Sequence, residues 1–267
     1  MSKVILITGA SSGIGKSIAT FLQQKGYKVF GTSRNPKNIE SFSFELIALD
    51  VLKVDTIEKA VAYIIKKEGR LDVLINNAGM GITGPIEDTP TDEMRAVFNT
   101  NLFGAIDVMK AVLPQMRAQE AGMILNVTSI AGYMGLPFRG LYSATKGALE
   151  LVTETVSMEV KSFGIKVVNV APGDFATNIA AGRYHTPVFE NSAYKETYQA
   201  NLDLIDAHVE GGMDPLEMAK TVYKIINSDN PKLHYKVGGF MEKFSIVLKR
   251  ILPDRIYEKI LMNHYKL

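Results

Sequence analysis

The chain has 267 residues, 46% hydrophobic and 22% charged, a composition typical of a folded protein with a sizeable apolar core. A formal net charge of +2 is too small for a nucleic-acid-binding protein that follows phosphates. The chain has no cysteine, and its histidines, His185, His208, His234 and His264, are scattered without ligand spacing, so we expect no metal site and place them at the surface.

Short apolar runs alternate with longer amphipathic stretches, which predicts parallel strands connected by helices. The predicted strands cover Lys3–Thr8, Lys28–Thr32, Phe44–Leu49, Leu71–Ile75, Gly122–Thr128, Lys166–Ala171 and Leu233–Val237. The predicted helices cover Ile14–Lys25, Val54–Lys67, Thr91–Arg117, Tyr142–Phe163 and Pro215–Ser228. Right-handed crossovers between parallel strands would place helices on both faces of a twisted sheet. No Pro/Ser-rich linker, low-complexity tract or repeat divides the sequence, which predicts one α/β domain over residues 1–267.

Two segments fall outside this alternation. Residues 178–213 are long and irregular, with Tyr184, Phe189, Tyr194 and Tyr198 between glycines. We interpret this segment as a substrate lid, and the alternative is a fixed helical insertion over Tyr194–His208. Residues 240–267 continue past the last strand as one or two amphipathic helices, a C-terminal helical extension.

The sequence predicts neither a transmembrane segment nor a signal peptide, because its apolar runs are too short for either. We therefore expect a cytoplasmic enzyme or binding protein. In the extension, one apolar helix face could contact a membrane surface: Phe244, Val247, Leu248, Ile251 and Leu252. A face packed on the core or on a partner gives the same pattern and is favoured.

A glycine-rich turn joins the first predicted strand to the first helix. It contains Gly9, Ser11, Ser12, Gly13, Ile14 and Gly15, in the spacing G-x-x-x-G-x-G. Glycine lets the backbone approach a pyrophosphate, and the helix amino terminus supplies amide donors and partial positive charge. The turn therefore predicts a dinucleotide site, although a turn that does only backbone work has the same sequence.

The residues after the second strand indicate which dinucleotide binds. An NAD-binding domain usually carries an acidic residue there, whereas this chain has Thr32-Ser33-Arg34-Asn35. Arg34 can pair with the 2′-phosphate of NADP, and Ser33 can donate a hydrogen bond. We therefore predict NADP(H) as the cofactor; the alternative is an arginine on a solvated loop.

Tyr142 and Lys146 are four residues apart, which places a phenol and an ammonium on one helix face. A nearby lysine lowers the pKa of a phenol, so the tyrosine can act as acid or base near neutral pH. The spacing alone is weak evidence, because Tyr63 and Lys67 repeat it without a companion serine. Ser129, thirteen residues before Tyr142, follows a strand, and a hydroxyl there can reach a substrate carbonyl.

Three strand ends converge beside the glycine turn, because Asn76-Asn77-Ala78-Gly79 follows the fourth strand and Pro172-Gly173 the sixth. With these features the sequence resembles the short-chain dehydrogenase/reductase family. The matching features run in family order: Thr8–Gly15, Leu49-Asp50-Val51, Asn76–Gly79, Asn101, Ser129, Tyr142, Lys146, Pro172-Gly173 and Thr177.

The resemblance implies a seven-stranded, doubly wound Rossmann fold and a catalytic tetrad of Asn101, Ser129, Tyr142 and Lys146. Ser129 and Tyr142 would stabilise charge on the substrate oxygen, and Tyr142 would transfer the proton. Lys146 would lower the pKa of Tyr142 and hold the nicotinamide ribose, and Asn101 would position a water that resupplies the proton. Taken singly, Ser129 also fits an ordinary strand-end hydroxyl, and Asn101 a residue that satisfies backbone groups.

The resemblance also implies the remaining cofactor contacts. Asp50 would meet the adenine amino group, with Val51 beside the ring, and Thr177 would contact the carboxamide. The other residues expected to line the cofactor are Asn76, Ala78, Gly79, Pro172 and Gly173.

The favoured function is an NADP(H)-dependent oxidoreductase that acts on a carbonyl or secondary alcohol, with Tyr142 as acid/base. A cofactor-binding sensor without turnover is disfavoured because both Tyr142 and Lys146 are present, and the membrane-surface protein described above is the third class. A largely apolar wall is predicted from Tyr133, Met134, Leu136, Pro137 and Phe138, so the expected substrate is lipophilic, although the sequence names no molecule.

The resemblance implies a homodimer through the helices that hold Asn101 and Tyr142. Larger family assemblies also pack around the last strand. The C-terminal extension would cover that surface, which favours a dimer over a tetramer.

Overall fold

All seven predicted strands are present in one parallel sheet. The structure, a computed structural model, describes residues 2–36, 42–176, 182–188 and 190–267, and it leaves the side chains of 208–210 undescribed. The strands are β1 (Val4–Ile7), β2 (Lys28–Ser33), β3 (Glu45–Ala48), β4 (Val73–Asn76), β6 (Gly122–Val127), β7 (Ile165–Pro172) and β9 (His234–Val237). Their order is β3-β2-β1-β4-β6-β7-β9, so the chain reverses its direction of winding between β1 and β4.

Helices cover both faces of the sheet, which confirms the predicted Rossmann fold. One face packs on α1 (Gly13–Gln24) and α7 (Pro215–Ile226), and the other on α2 (Val54–Glu68), α4 (Gly104–Ala118) and α5 (Gly140–Glu159). The central strands β1, β4, β6 and β7 are mostly apolar, as expected of strands that helices cover on both faces. The sheet thus holds its carboxyl edge, where the candidate site residues lie, on a rigid support.

The predicted helix over Thr91–Arg117 is continuous but irregular. It consists of α3 (Thr91–Phe98), a π-helical turn (Asn99–Phe103) and α4. Thr91–Ala118 is long and apolar enough, by length and composition, to cross a membrane. In the fold, however, Val108, Met109 and Val112 are buried against the sheet, as expected of a core helix.

The segment predicted as irregular contains regular structure. Helix α6 (Lys195–Glu210) occupies its second half, and the short strand β8 (Tyr184–His185) pairs with β5 (Ile82–Thr83). Tyr198 of α6 is buried, and its hydroxyl lies 3.0 Å from Thr83 Oγ1. This packing agrees with the alternative of a helical insertion; residues 178–181 and Phe189 lie outside the described residues.

The C-terminal extension forms two helices, α8 (Phe240–Ile251) and α9 (Asp254–Tyr265). They pack on the short 3₁₀ turn Ile130–Tyr133 that follows β6, through a small apolar cluster. The buried members of that cluster are Ile130, Met134, Ile246 and Tyr257. The extension therefore lies beside the residues that follow Ser129.

Candidate active site

The glycine turn is held by the side chain of Asn77. Asn77 Nδ2 donates to the carbonyl oxygens of Thr8 and Gly9, both at 3.0 Å. Gly9 has a φ of 66°, in the left-handed region that favours glycine. At Gly15 the backbone packs so closely that a Cβ would lie 2.4 Å from both Asn77 Nδ2 and the Gly9 oxygen. The turn thus needs glycine at position 9 for conformation and at position 15 for space.

A polar cleft of about 420 Å³ extends from this turn along the carboxyl edge of the sheet. It lies around the β1–β4 reversal, where open α/β sheets bind their ligands. Most residues predicted to bind the cofactor line it: Gly9, Ser11, Ser12, Gly13, Ile14, Gly15, Ser33, Arg34, Asp50, Val51, Ala78, Gly79, Tyr142, Lys146 and Pro172. The exposed Arg34 side chain gives this cleft a cation beyond the end of β2.

Three predicted cofactor residues are not in the cleft lining. Asn76 is 3% exposed, and its Nδ2 donates to the Ala105 carbonyl and to Asn126 Oδ1, so it faces α4. Gly173 lines a neighbouring cavity, and Thr177 lies outside the described residues.

Sequence reasoning did not assign Asn77, which lines the cleft directly after Asn76. The alternation of side chains at the end of a strand is the signal that distinguishes the two asparagines.

Tyr142 and Lys146 both lie on α5 and line the cleft. Lys146 Nζ is 5.9 Å from the centroid of the Tyr142 ring and donates to the Val127 carbonyl at 3.0 Å. Burial lowers the pKa of the Lys146 ammonium, while the nearby Tyr142 acts in the opposite direction. The phenol and the ammonium thus lie together in the cleft, on one face of α5.

The second tyrosine–lysine pair has a different environment. Tyr63 is 43% exposed, and both its hydroxyl and Lys67 Nζ bind Glu45, at 2.6 and 2.7 Å. Location in the fold, and not spacing, therefore distinguishes Tyr142 from Tyr63.

Ser129 begins the 3₁₀ turn after β6. Its Oγ accepts a hydrogen bond from the Ala131 amide at 3.1 Å and donates to the Pro172 carbonyl at 3.5 Å. The neighbouring Thr128 lines the polar cleft, whereas Ser129 lines the second cavity. Likewise, Pro172 lines the polar cleft and the next residue, Gly173, lines the second cavity. The two cavities therefore share an edge at Ser129.

Asn101 lies in the π-helical turn and is 1% exposed. Its Oδ1 accepts from the Met80 amide at 2.8 Å, and its Nδ2 donates to the Met80 carbonyl and to Thr145 Oγ1, at 2.9 and 3.1 Å. The side chain thus ties the loop after β4 to the helix that carries Tyr142. Protein groups therefore bind both polar atoms of the side chain.

The second cavity, of about 680 Å³, is mostly apolar. Met134 and Leu136 line it as predicted, and α8 and α9 contribute Leu248, Ile260 and Leu261. The other three residues of the predicted wall do not line this cavity: Tyr133, Pro137 and Phe138. The Tyr133 hydroxyl accepts from Asn169 Nδ2, and the Phe138 ring packs on Tyr198 at 5.4 Å.

A few polar groups lie in this apolar cavity. Glu242 accepts from the amides of Asp174 and Gly239 at 2.7 and 2.5 Å, and so fixes the start of α8 beside Gly173. Burial raises the pKa of the Tyr265 phenol. The nearby positive charge of Arg139 acts to lower this pKa, and the negative charge of Asp174 acts to raise it. The last turn of α9 thus lies close to the shared edge, between a cation and an anion.

His234 departs from the predicted surface position. In the register of the sheet, His234 of β9 is opposite Asn169 of β7, Asn169 is opposite Asn126 of β6, and Asn126 is opposite Asn76 of β4. These four neighbouring strands thus carry a row of polar side chains. The two imidazole nitrogens face Glu150 at 3.4 Å and Glu154 at 3.2 Å.

The donor atoms of Glu150, Glu154 and His234 lie within 4.8 Å of one another, which is close enough for a metal ion. Burial raises the pKa of Glu150, and the nearby cations Lys236 and Arg250 counteract part of that effect. Because two cations already lie near these carboxylates, we interpret the group as a cluster of polar contacts that links β9 to α5 through His234.

Comparison with known proteins places these features in a family. The family model described as "short chain dehydrogenase" matches residues 3–187. A protein of Bacteroides thetaiotaomicron named 3-ketodihydrosphingosine reductase is 40% identical over 265 residues, which are 98% of each chain.

Solved structures agree in fold. A short-chain dehydrogenase from Streptomyces avermitilis superposes with a TM-score of 0.84 at 32% identity, covering 99% of this chain and 97% of the other. The structure of ElxO with NADP bound has a TM-score of 0.71 at 31% identity, covering 89% and 96%.

Proposed function

The chain belongs to the short-chain dehydrogenase/reductase family, and on that premise we propose that it transfers a hydride between NADP(H) and a carbonyl or secondary alcohol of a lipophilic substrate. The observation that carries this proposal is the shared edge of the two cavities. The polar cleft has the glycine turn and Arg34 for a dinucleotide, and the apolar cavity begins at Ser129. A nicotinamide in the cleft and a carbonyl in the cavity would meet there.

The donor groups of the cleft suit a phosphorylated dinucleotide. Phosphates suit the backbone amides at the start of α1 and the exposed side chain of Arg34. Among the described hydrogen bonds of the Lys146 ammonium, the only acceptor is the Val127 carbonyl. The two other ammonium hydrogens are available for ribose hydroxyls. When bound, NADPH supplies the hydride.

The residues at the shared edge would handle the proton and the developing charge. In the reductive direction Tyr142 donates its phenolic proton to the carbonyl oxygen, and Ser129 donates a hydrogen bond to the same atom. Lys146 stabilises the phenolate that results. We propose that Asn101 maintains the positions of the loop after β4 and of α5, and that it orders a water that resupplies the proton.

The reaction is tested by following NADPH absorbance with long-chain ketones. Tyr142→Phe should lower kcat by about 10²–10⁴-fold, because the transferable proton is lost, and leave NADPH affinity within about twofold. Tyr63→Phe is the matched control, since it removes the same hydroxyl from the second tyrosine–lysine pair and should leave kcat unchanged. Retention of more than about a tenth of kcat in Tyr142→Phe would refute its role as acid/base.

We propose a long-chain ketone with an amino group beside the carbonyl as the substrate. The apolar cavity can hold an alkyl chain, and Asp174, directly after Gly173, places a carboxylate near its reactive end. This chemistry agrees with the name of the Bacteroides relative.

The carboxylate proposal has its own test. Asp174→Asn should raise KM for 3-ketodihydrosphingosine about tenfold or more, the effect of losing a charged hydrogen bond, and leave KM for an amine-free ketone of equal length unchanged. An equal change for both ketones would show that Asp174 does not recognise the amine.

We also propose a homodimer through the helices that hold Asn101 and Tyr142. Phe103, Leu151 and Met158 are 53%, 65% and 71% exposed on this face, where a second copy would cover them. Light scattering should give a dimer, and Leu151→Glu should give a monomer. A tetramer would show that the C-terminal extension leaves the second family interface open. We propose the cytoplasm as the compartment, which suits a chain without cysteine.

A further inference from the structure

The C-terminal helices carry an unusual share of exposed apolar side chains. Of the seventeen large hydrophobic residues exposed in the described part of the chain, nine belong to the extension. They are Phe240, Met241, Phe244, Val247, Ile251, Ile256, Ile260, Met262 and Leu267. Such a concentration of exposed apolar side chains is typical of a binding surface.

Helix α8 is apolar on two sides. Its inner side packs Ile246, with Leu248 and Leu252, on the turn after Ser129. Its outer side carries a row in the spacing i, i+4, i+7, i+11: Phe240, Phe244, Val247 and Ile251. The rings of Phe240 and Phe244 stack at 5.6 Å, which makes this row continuous. The inner side accounts for the packing of α8 on the core, and the outer row is left bare.

The charge of the extension differs from that of the rest of the chain. Residues 240–267 contain six Lys or Arg and three Asp or Glu, a net charge of +3, whereas the whole chain has +2. The rest of the chain therefore has a net charge of −1. Lys243, Arg250, Arg255 and Lys259 are all exposed beside the bare apolar residues. Apolar side chains among cations suit the interface of an anionic bilayer.

The bare surface continues into the apolar cavity. Phe240, Met241 and Ile260 line the cavity and are nevertheless 74%, 69% and 44% exposed. They form its rim, and Ser129 lies within the same cavity. A lipid-soluble molecule that enters past this rim reaches the reactive edge without crossing water.

We infer that the extension docks on an anionic lipid surface, with the cavity rim against the bilayer, and that the substrate enters from the lipid. A second copy of the chain is a poorer occupant, because two surfaces of net charge +3 repel each other. The entry route rests on the proposed lipophilic substrate, whereas the docking itself does not. Binding and turnover are therefore measured separately.

Docking is tested by co-sedimentation of the full chain with vesicles of phosphatidylcholine containing phosphatidylglycerol. Val247→Glu alters the bare row without altering the cavity lining, and Val54→Glu is the matched control. The two valines are 45% and 51% exposed, and both substitutions add one negative charge. Val247→Glu, and more strongly its combination with Ile251→Glu, should weaken binding about tenfold or more, while Val54→Glu should bind like the wild type.

The lipid and salt dependence of binding is a second test. Binding of the wild type should weaken on vesicles of phosphatidylcholine alone and at high salt, because docking depends on anionic lipid. Equal binding by the two variants, or no binding of the wild type, would refute docking. If Val247→Glu instead lowered the oligomeric state without vesicles, the bare row would be a contact between copies.

A kinetic comparison separates docking from catalysis. Val247→Glu should keep wild-type turnover of a short, water-soluble ketone and lose turnover of a long-chain ketone dissolved in vesicles. Loss of turnover with both ketones would contradict the docking role. A wild type that binds vesicles but reduces no ketone would refute the proposed function and leave docking intact.

Discussion

Gly15→Ala tests the prediction that the glycine turn sets the shape of the cofactor cleft. The new Cβ would lie 2.4 Å from the Gly9 oxygen and from Asn77 Nδ2, whereas ordinary carbon contacts begin near 3.4 Å. Backbone and amide must therefore move apart by about 1 Å. Because Asn77 Nδ2 donates two hydrogen bonds into the turn, the displacement weakens those bonds as well.

The structure supports an approximate magnitude. Overpacking costs about 1–3 kcal/mol, and two weakened hydrogen bonds add roughly 1–2 kcal/mol, so unfolding free energy should fall by about 2–5 kcal/mol. For a domain of this size that is a Tm lower by roughly 5–15 °C. NADPH affinity should fall at least about tenfold, because the amides proposed to bind the pyrophosphate would move with the turn.

The matched control is Gly135→Ala. A Cβ at Gly135 meets no atom within 4 Å and its φ is not positive, so Tm should change by no more than about 1 °C. Thermal unfolding and a fluorescence titration with NADPH measure both effects. If Gly15→Ala kept its Tm within about 1 °C and its NADPH affinity within about twofold, the close packing would not constrain the cleft.

Three further predictions concern cofactor choice, pH and the segment before α7. Arg34→Ala should weaken NADPH binding by about 1.5–3 kcal/mol and leave NADH binding nearly unchanged in parallel titrations; equal losses would exclude contact with the 2′-phosphate. Burial raises the pKa of Glu150 in the folded protein. The protonated carboxyl therefore contributes to the free energy of unfolding below the pKa of the unfolded state, and this contribution is lost as pH rises through the pKa of the folded state. The Tm of Glu150→Gln should therefore rise relative to that of the wild type as pH increases above the ordinary glutamate pKa of about 4.3, whereas a pH-independent difference would contradict the raised pKa. The lid interpretation requires hydrogen exchange in residues 182–213 to slow when NADPH and ketone bind; high protection in every state would make the segment a static wall.

Local patterns in the sequence predicted the strands and helices along the chain, the glycine turn and the position of Tyr142 and Lys146 on one helix. These features depend on local periodicity and spacing, and parallel strands necessarily bring their carboxyl ends to one edge. Spacing alone did not separate Tyr142–Lys146 from Tyr63–Lys67, and in the sequence only the companion Ser129 favoured the first pair. Only the fold shows that the first pair lines the cleft and that the second binds Glu45.

Other features depend on contacts between distant parts of the chain. The pleat at the end of β4 turns Asn76 towards α4 and leaves Asn77 to hold the turn. His234 meets Glu150 because the fold brings the His234 side chain of β9 next to α5, although about eighty residues separate the two in the chain. The far wall of the apolar cavity comes from α8 and α9 at the carboxyl end. Hydrophobic periodicity specifies which face of a helix is apolar, but tertiary packing sets the partner of that face. For this reason only the structure divides the extension into a buried side and a bare side.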